Sequence, residues 1–323
     1  MELALTTTGV AARWATARLA EAGVPSPRVD AELLLAHVLG VERGEVRRLA
    51  VLDAPLRTDD GGDGAAAARL VALVERRAAR EPLQHLLGVA PFRHLELAVG
   101  PGVFVPRPET EQVAQVAIDE AARVVARAGA AVVVDLCTGS GAIALAVATE
   151  VPGATVHAVE LDAAAHGWAG RNVAAVAAAT PAAVVHLVRG DARTALRELG
   201  GRVDVVVSNP PYVPPGAVPR DPEVAEHDPA VALYGLGDDG LEVPRGVTAA
   251  AARLLRPGGL YVMEHAEVQD AAARAMVADA GGFDAASTAE DLAGRPRMVV
   301  ARRSGGAGSG PDARPAAGRT VTD

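Results

Sequence analysis

The sequence has 323 residues, half of them apolar, and carries 31 basic and 40 acidic side chains, for a formal net charge of −9 at pH 7. This length and composition predict one large or two modest domains with a sizeable core, and the negative charge supplies no overall field that would attract DNA or an acidic membrane surface. The single cysteine, Cys137, excludes an internal disulfide framework and a cysteine-based zinc site, and the eight histidines show no metal-ligand spacing.

The start of the chain and its hydropathy bear on location. Met1-Glu2-Leu3 opens without the basic and apolar regions of a secretory signal. No apolar stretch reaches the roughly 18 residues expected of a membrane span. We therefore expect a soluble cytoplasmic protein with no metal site and no membrane partner.

The first part of the chain, residues 1–84, has a helical pattern. Asp30 stands just before the apolar run AELLLAHVL, and Gly40 follows that run as a C-cap. The polar, glycine-rich stretch 59–64 predicts a loop, and AAAARLVALVERRAAR after it predicts another helix that ends near Pro82. We expect these residues to form a small helical bundle.

Residues 85–105 differ in character. FRHLELAV alternates polar and apolar residues, and Pro101-Gly102 is typical of a turn. The pattern predicts a β-hairpin that links the helical bundle to a second domain.

From residue 106 to 303, segments typical of strands alternate with segments typical of helices. The predicted strands are Val-rich runs at 130–135, 155–160, 183–190, 203–208 and 259–264. Continuous apolar runs indicate strands buried on both faces of a parallel sheet, so the fold class is α/β and Rossmann-like. The last two segments, FDAAST and RMVVARR, predict an antiparallel hairpin on one edge. The Gly/Pro/Ser/Ala-rich tail 304–323 has too little apolar surface to fold, and we expect it to be disordered.

A glycine-rich turn follows the first of these strands, which ends in Asp135. The residues of the turn are Cys137, Thr138, Gly139, Ser140 and Gly141. Glycines let a backbone approach a ligand closely, and the N-terminus of the next helix faces it. The turn fits G-x-G-x-x-A, and Glu160 ends the next strand where a ribose-binding carboxylate is expected. The pattern favours a nucleoside-containing cofactor, either a nicotinamide dinucleotide or S-adenosylmethionine, over a turn that only packs helix on sheet.

Charge separates these two cofactors. Asp135, Glu160 and Asp191 all stand at the ends of successive strands. A pyrophosphate would be repelled by three carboxylates, whereas a sulfonium and an ammonium are cationic and a ribose offers two hydroxyls. The arrangement favours S-adenosylmethionine.

The stretch VDVVVSNPPYVPP places an amide, two prolines and a phenol after a buried strand, beside the same pocket. The prolines stiffen the backbone around Asn209 and Pro210. The side-chain oxygen of Asn209 and the carbonyl of Pro210 could then accept both hydrogens of a planar NH₂ group, with Tyr212 as a flat surface beside it. Such a loop would hold a poorly nucleophilic nitrogen in line with a methyl donor. The alternative is an ordinary loop.

The motifs together resemble a known family. D-L-C-T-G-S-G, A-V-E, G-D and S-N-P-P-Y resemble the seven-stranded class I methyltransferases that act on planar nitrogen. The upstream REPLQHLLGVAPFRHLELAV and PGVFVPRPETE resemble the linker and substrate-side segment of the release factor glutamine methyltransferase (HemK or PrmC) family. Downstream, LYGLGDDGLEVPR, LLRPGGLYVMEH and G-R-P-R continue the resemblance, which covers roughly residues 10 to 302.

The resemblance implies roles for individual residues. In that family the glycine loop and the acid after the second strand hold S-adenosylmethionine, which leaves as S-adenosylhomocysteine. The N-P-P-Y motif holds the glutamine in the Gly-Gly-Gln tip of class 1 peptide chain release factors, the expected partners. The helical bundle 1–84 is expected to help dock that protein. The implied cofactor-binding residues are Asp135, Cys137 to Gly141, Glu160, Asp191, Ala192 and Asn209. The implied substrate-binding residues are Asn209, Pro210, Pro211, Tyr212, Phe104 and Arg107, with Asn209, Pro210 and Tyr212 catalytic.

Three positions depart from the family pattern. Cys137 stands where a glycine is common, and we interpret it as a small packing residue, since no histidine partner for a nucleophile is evident. Ala192 stands where many relatives carry a larger side chain over the adenine, which bears on affinity. Glu160 replaces a common aspartate and can make the same contact with ribose hydroxyls.

In addition, we expect Glu264 and His265 to form a solvated strand end.

Other functions stay open at this point. Methylation of a glutamine in a ribosomal protein would use the same motif, and only the N-terminal region favours the release-factor branch. An amino-methyltransferase of nucleic-acid bases would be expected to carry a basic groove, and the acidic balance weighs against direct nucleic-acid binding. A methyltransferase-fold module that binds a translation factor without catalysis is disfavoured by the intact glycine loop and Asn209.

Overall fold

The computed structural model describes residues 5–57 and 64–305. The loop predicted at 59–64 and the tail predicted at 304–323 lie outside the described residues, except for Gly64, Ser304 and Gly305. Both therefore stay predictions.

The N-terminal region is a bundle of short helices, as predicted. The described helices are α1 (Thr8–Glu21), α2 (Pro27–Leu39), α3 (Arg43–Val51), α4 (Ala65–Ala78) and α5 (Leu83–Leu87). Leu19, Leu34, Leu35 and Leu70 are fully buried in a core of their own. The burial of leucines from three helices in one cluster explains why this region forms a bundle.

One detail of the predicted bundle is wrong and another is confirmed. Asp30 does not precede helix α2, which begins at Pro27. Proline suits a first helical turn because its missing N–H has no partner to lose there. Asp30 is instead buried inside the helix and accepts a hydrogen bond from Arg77. Gly40 does cap the C-terminus of α2, with φ +66°.

A two-stranded hairpin follows the bundle, as predicted for residues 85–105. Strands β1 (Val89–Phe92) and β2 (Leu95–Ala98) pair antiparallel. The hairpin turns at Arg93-His94, where Arg93 adopts φ +55°, while Pro101-Gly102 forms a separate turn further along the chain. Pro101-Gly102 is thus a turn, as predicted, but it does not join the two strands of the hairpin.

The remaining described residues form a seven-stranded sheet with helices on both faces. The strand order is β5-β4-β3-β6-β7-β9-β8, with β9 antiparallel to both of its neighbours and the other pairs parallel. The strands are β3 (Ala131–Leu136), β4 (Ala154–Glu160), β5 (Val184–Arg189), β6 (Val203–Ser208), β7 (Leu255–Glu264), β8 (Ser287–Glu290) and β9 (Pro296–Arg302). The helices are α6 (Thr110–Ala128), α7 (Ala142–Glu150), α8 (Ala163–Ala179), α9 (Pro222–His227), α10 (Ala230–Leu233), α11 (Glu242–Leu254) and α12 (Asp270–Ala280).

The predicted sheet and its antiparallel edge hairpin are confirmed, with shifted bounds. Strand β7 begins at Leu255, four residues earlier than expected, and β8 begins at Ser287 inside the FDAAST segment. All six residues of β6 are buried, as its valine run indicates. Among the described helices, none is both long and apolar enough to span a bilayer.

The topology places the candidate site. Strands β3 to β7 are parallel, so their carboxyl ends, which run into Cys137, Leu161, Gly190, Asn209 and His265, meet at one edge of the sheet. The strand order reverses between β3 and β6, and ligands of open α/β sheets bind outside such a reversal.

Candidate active site

A cavity of about 850 Å³ lies at this edge. It brings together side chains from the glycine loop, the ends of β4 and β5, the N-P-P-Y motif and the approach to α6. The predicted site residues that line it are Phe104, Arg107, Cys137, Thr138, Gly139, Ser140, Glu160, Asp191, Ala192, Asn209, Pro210, Pro211 and Tyr212. Asp135 and Gly141 are not among the lining residues.

Asp135 forms hydrogen bonds that stabilise the glycine loop. Its Oδ2 accepts hydrogen bonds from the Thr138 hydroxyl at 2.5 Å and from the Ala144 amide at 3.1 Å. Burial raises the pKa of Asp135 to about 7. These bonds fix the turn between β3 and α7, whereas the contact of Asp135 with a cofactor stays a prediction.

The backbone of the loop explains its glycines. Gly139 and Gly141 have φ of +60° and +88°, in the left-handed region that glycine adopts without strain. A Cβ at Gly139 would meet no atom within 4 Å, so the backbone there faces open space. Cys137 also has a positive φ, +63°, which accounts physically for a preference for glycine at this position. Burial raises the pKa of the Cys137 thiol far above neutrality, which agrees with a packing role.

Glu160 joins β4 to the glycine loop. One carboxylate oxygen accepts the Gly139 amide at 2.8 Å, and the other accepts the Asp162 amide at 2.9 Å. Burial raises the pKa of Glu160 despite these bonds. The carboxylate thus stands at the cavity wall in a fixed orientation, as a ribose-binding acid requires.

Asp191 does not present an unpaired negative charge to the cavity, although the sequence places it among three carboxylates that favour a cationic ligand. Arg193 pairs with it at 2.7 Å and holds the pKa of Asp191 below its usual range. Arg193 therefore offsets the negative charge that Asp191 would otherwise present to a cationic ligand. Ala192, beside this pair, lines the cavity with a single methyl group.

The N-P-P-Y motif is held by neighbours on both sides. The Ser208 hydroxyl donates to the carbonyl of Leu136 at 2.6 Å, which ties the end of β6 to β3. The Asn209 amide nitrogen donates to the Thr110 hydroxyl at 3.3 Å. This bond engages the side-chain nitrogen of Asn209, a residue that lines the cavity.

Tyr212 is fixed through both its hydroxyl and its backbone. The hydroxyl donates to Glu264 at 3.3 Å, and the carbonyl accepts a hydrogen bond from the Gln269 side chain at 2.9 Å. Burial raises the pKa of Tyr212, so the phenol stays neutral. The ring therefore presents an uncharged surface to the cavity.

The prediction of a solvated strand end at Glu264 and His265 is wrong. Their exposed fractions are 1% and 0%. Burial raises the pKa of Glu264 to about 7, although Thr110 and Arg297 nearby favour its ionised form. Thr110 and Gln269 also hold the N-P-P-Y motif, although neither is among the predicted site residues. The sequence indicated Thr110 only as part of the start of a helix, and it gave no signal for Gln269.

Phe104 and Arg107 meet at the cavity wall. The Arg107 guanidinium lies 4.9 Å from the centroid of the Phe104 ring and pairs with Asp228 at 2.7 Å. Their role as pocket walls for a substrate stays a prediction.

Comparisons with known proteins identify two matching family models. The PrmC N-terminal domain model matches residues 11–88, and the methyltransferase small domain model matches residues 109–222.

Several relatives of known description match most of the chain. A release factor glutamine methyltransferase of Streptomyces coelicolor is 49% identical over 90% of this chain and 96% of its own length. One from Bifidobacterium longum is 45% identical over 89% of this chain and 96% of its own. A 4-amino-L-phenylalanine/4-methylamino-L-phenylalanine methyltransferase of Streptomyces pristinaespiralis is 40% identical over 85% of this chain and 88% of its own.

Proposed function

The chain belongs to the release factor glutamine methyltransferase family, and we propose that it methylates the side-chain amide nitrogen of the glutamine in the Gly-Gly-Gln motif of class 1 peptide chain release factors. The observation that carries the proposal is one cavity shared by the glycine loop and by Asn209 to Tyr212. Methyl transfer from a cofactor to a planar nitrogen requires that a loop holding the donor and a motif holding the amide face the same cavity.

The donor side fits S-adenosylmethionine, the cofactor of the family. This cofactor supplies an electrophilic methyl group on a sulfonium. The open backbone face at Gly139 leaves room for it, and the oriented carboxylate of Glu160 would accept hydrogen bonds from ribose hydroxyls. Cys137, Thr138, Gly139, Ser140, Asp191 and Ala192, which line the cavity, would complete the cofactor-binding surface. Gly141 would contribute through the left-handed backbone of the turn.

The acceptor side acts by orientation and electrostatics. The Asn209 side-chain oxygen and the Pro210 carbonyl would accept the two hydrogens of the glutamine NH₂ group, and Tyr212 would support its plane. These acceptors also stabilise the positive charge that grows on nitrogen as the methyl group arrives. Because the prolines fix the backbone, the acceptors need little reorganisation.

No strong base is needed in this scheme. The methylated nitrogen is acidic and can lose its proton to water. Glu264 is buried and bonded to Tyr212, so we assign it to holding the motif in place.

We further propose that the enzyme acts in the cytoplasm, where peptide chains are terminated, on a protein and not on nucleic acid. A second candidate acceptor is a primary aromatic amine. Its support is the 40% identical relative described by its action on 4-amino-L-phenylalanine, since an aromatic amine presents a similar planar nitrogen.

A panel of acceptors tests the proposal. The purified protein and S-adenosylmethionine with a labelled methyl group would be incubated with a folded class 1 release factor, with the same factor lacking the Gly-Gly-Gln glutamine, with ribosomal proteins, with nucleic acid and with 4-amino-L-phenylalanine. We expect label only in the intact release factor. Label in both release factors, or only in another acceptor, would refute the proposed substrate.

A further inference from the structure

The segment 213–234, which follows the N-P-P-Y motif, forms one wall of the cavity. Val218, Val224 and Val231 are among its lining residues. The segment is closed at its base by backbone hydrogen bonds from Val213 to the carbonyl of Leu233 at 2.8 Å and from Gly235 to the carbonyl of Val213 at 3.1 Å. The base lies one residue after Tyr212, so the position of this wall affects the acceptor side directly.

The outer part of this wall is attached to the N-terminal helices by an ion cluster. Glu223, on α9, accepts two hydrogen bonds from Arg80, at 2.9 and 2.7 Å. It also pairs with Arg77 at 2.8 Å. The exposed fractions of the three side chains are 14% for Glu223, 18% for Arg80 and 6% for Arg77.

Both arginines are themselves anchored in the helical bundle. Arg77, on α4, pairs with Asp30 on α2 at 2.8 Å. Arg80 donates to the carbonyl of Gly23, in the loop between α1 and α2, at 2.8 Å. The cluster thus connects the bundle to a short helix of six residues on the cavity wall.

The paired hydrogen bonds between Arg80 and Glu223 fix how α9 is oriented relative to the bundle. Two parallel bonds between a guanidinium and a carboxylate fix both distance and angle. Burial alone would raise the pKa of Glu223, but the hydrogen bonds from Arg80 and Arg77 hold it at about 2. The cluster therefore stays charged across the neutral range and does not act as a pH switch.

We propose that Glu223 is a positioning residue for the acceptor, through which the N-terminal helices hold the wall segment 213–234 against the site of methyl transfer. The inference rests on the proposed function for its substrate. A release factor bound to the N-terminal helices would meet a cavity whose acceptor wall is set by the same helices.

The substitution Glu223→Gln tests the connection, since it keeps the volume and removes the charge. The matched control is Glu75→Gln, because Glu75 accepts a similar pair of hydrogen bonds from Arg18, at 2.9 and 2.7 Å, wholly within the bundle. Arg80→Ala breaks the same cluster from the other side and serves if Glu223→Gln does not fold.

Two measurements decide the outcome. Hydrogen–deuterium exchange of the amides in 213–234 is expected to quicken in Glu223→Gln and Arg80→Ala but not in Glu75→Gln. With a folded release factor, kcat/KM is expected to fall by about tenfold to a hundredfold, as for other misplaced reactants, while the affinity for S-adenosylmethionine stays unchanged. Unchanged exchange in the wall, or an equal loss in Glu75→Gln, would overturn the inference.

The exchange measurement needs no methyl transfer. If the unsubstituted protein does not methylate the release factor, the proposed function fails, while the exchange result still decides whether Glu223 holds the wall.

Discussion

The proposed mechanism assigns Asn209 to the acceptor and Glu160 to the cofactor, and both line the cavity, so single substitutions should separate their effects. For Asn209→Ala we expect turnover to fall by about 10² to 10³, the range for removing one preorganised polar group. The dissociation constant for S-adenosylmethionine, measured by calorimetry, should change little, because the bonds of the glycine loop do not involve Asn209. Equal losses of turnover and cofactor affinity would contradict the assignment.

Glu160→Gln should weaken binding of S-adenosylmethionine and largely spare turnover. The amide keeps the volume, but its nitrogen cannot accept the hydrogen bond that one carboxylate oxygen takes from the Gly139 or the Asp162 amide. We expect the dissociation constant for S-adenosylmethionine to rise by about tenfold or more, with kcat at saturating cofactor nearly retained. A lowered kcat with unchanged affinity would be inconsistent with donor binding by Glu160.

The buried carboxyl group of Glu264 should make the free energy of unfolding depend on pH. Because burial raises its pKa in the folded protein to about 7, well above the ordinary value for a glutamate, the native protein holds this proton more tightly than the unfolded chain. Its contribution to stability is therefore present at low pH and lost as pH rises from about 5 to 8. Glu264→Gln carries no such proton, so its unfolding free energy relative to the parent should rise across this range, by about 3 kcal/mol at most.

Denaturant unfolding of both proteins at pH 5 and pH 8 measures this difference. Asp135, whose pKa is raised in the same way, is present in both proteins and cancels. A difference that does not vary with pH would show that Glu264 is not held in its neutral form by burial.

At the scale of elements, the segment after α10 crosses the N-P-P-Y loop at two glycines. A Cβ at Gly235 would lie 1.8 Å from the carbonyl oxygen of Gly240 and 2.7 Å from that of Pro211. Because backbone must move to relieve such a contact, Gly235→Ala should displace the motif and abolish most turnover. The control is Gly44→Ala in α3, where a Cβ meets no atom within 4 Å.

Gly44→Ala should leave turnover unchanged and should not destabilise the protein, because Gly44 lies in the first turn of α3 with room for a Cβ. Thermal unfolding and steady-state rates of both variants make the comparison. Full activity in Gly235→Ala would contradict the close crossing.

Elements with strong patterns were predictable from sequence, and weakly patterned ones were not. The valine runs of β3 and β6 predicted a buried parallel sheet because continuous apolar strands need cover on both faces. The five-residue α5 is too short to show a helical period. The turn at Arg93 was missed because a non-glycine residue with positive φ carries no turn signal.

At the scale of the whole molecule, what the sequence could not supply was contact between distant segments. The glycine loop and N-P-P-Y were recognisable because their residues are contiguous. The burial of Glu264 could not be predicted, because the sequence does not show that Tyr212, 52 residues earlier, lies against it. The pairing of Glu223 with Arg80 spans 143 residues and has no local signature.

The division of the chain into domains 1–84, 85–105 and 106–303 stays a prediction. Its physical support is the separate leucine core of the N-terminal helices, distinct from the two cores that flank the sheet. The ion cluster around Glu223 connects the N-terminal helices, which have their own core, to the wall of the cavity.

The most direct test of the account is localisation of the methyl group. A folded class 1 release factor would be incubated with S-adenosylmethionine and either the parent protein or Asn209→Ala, then digested and analysed by tandem mass spectrometry. The account predicts one added methyl on the side-chain amide of the Gly-Gly-Gln glutamine with the parent and almost none with the variant. A methyl on another residue, or equal methylation by Asn209→Ala, would contradict it.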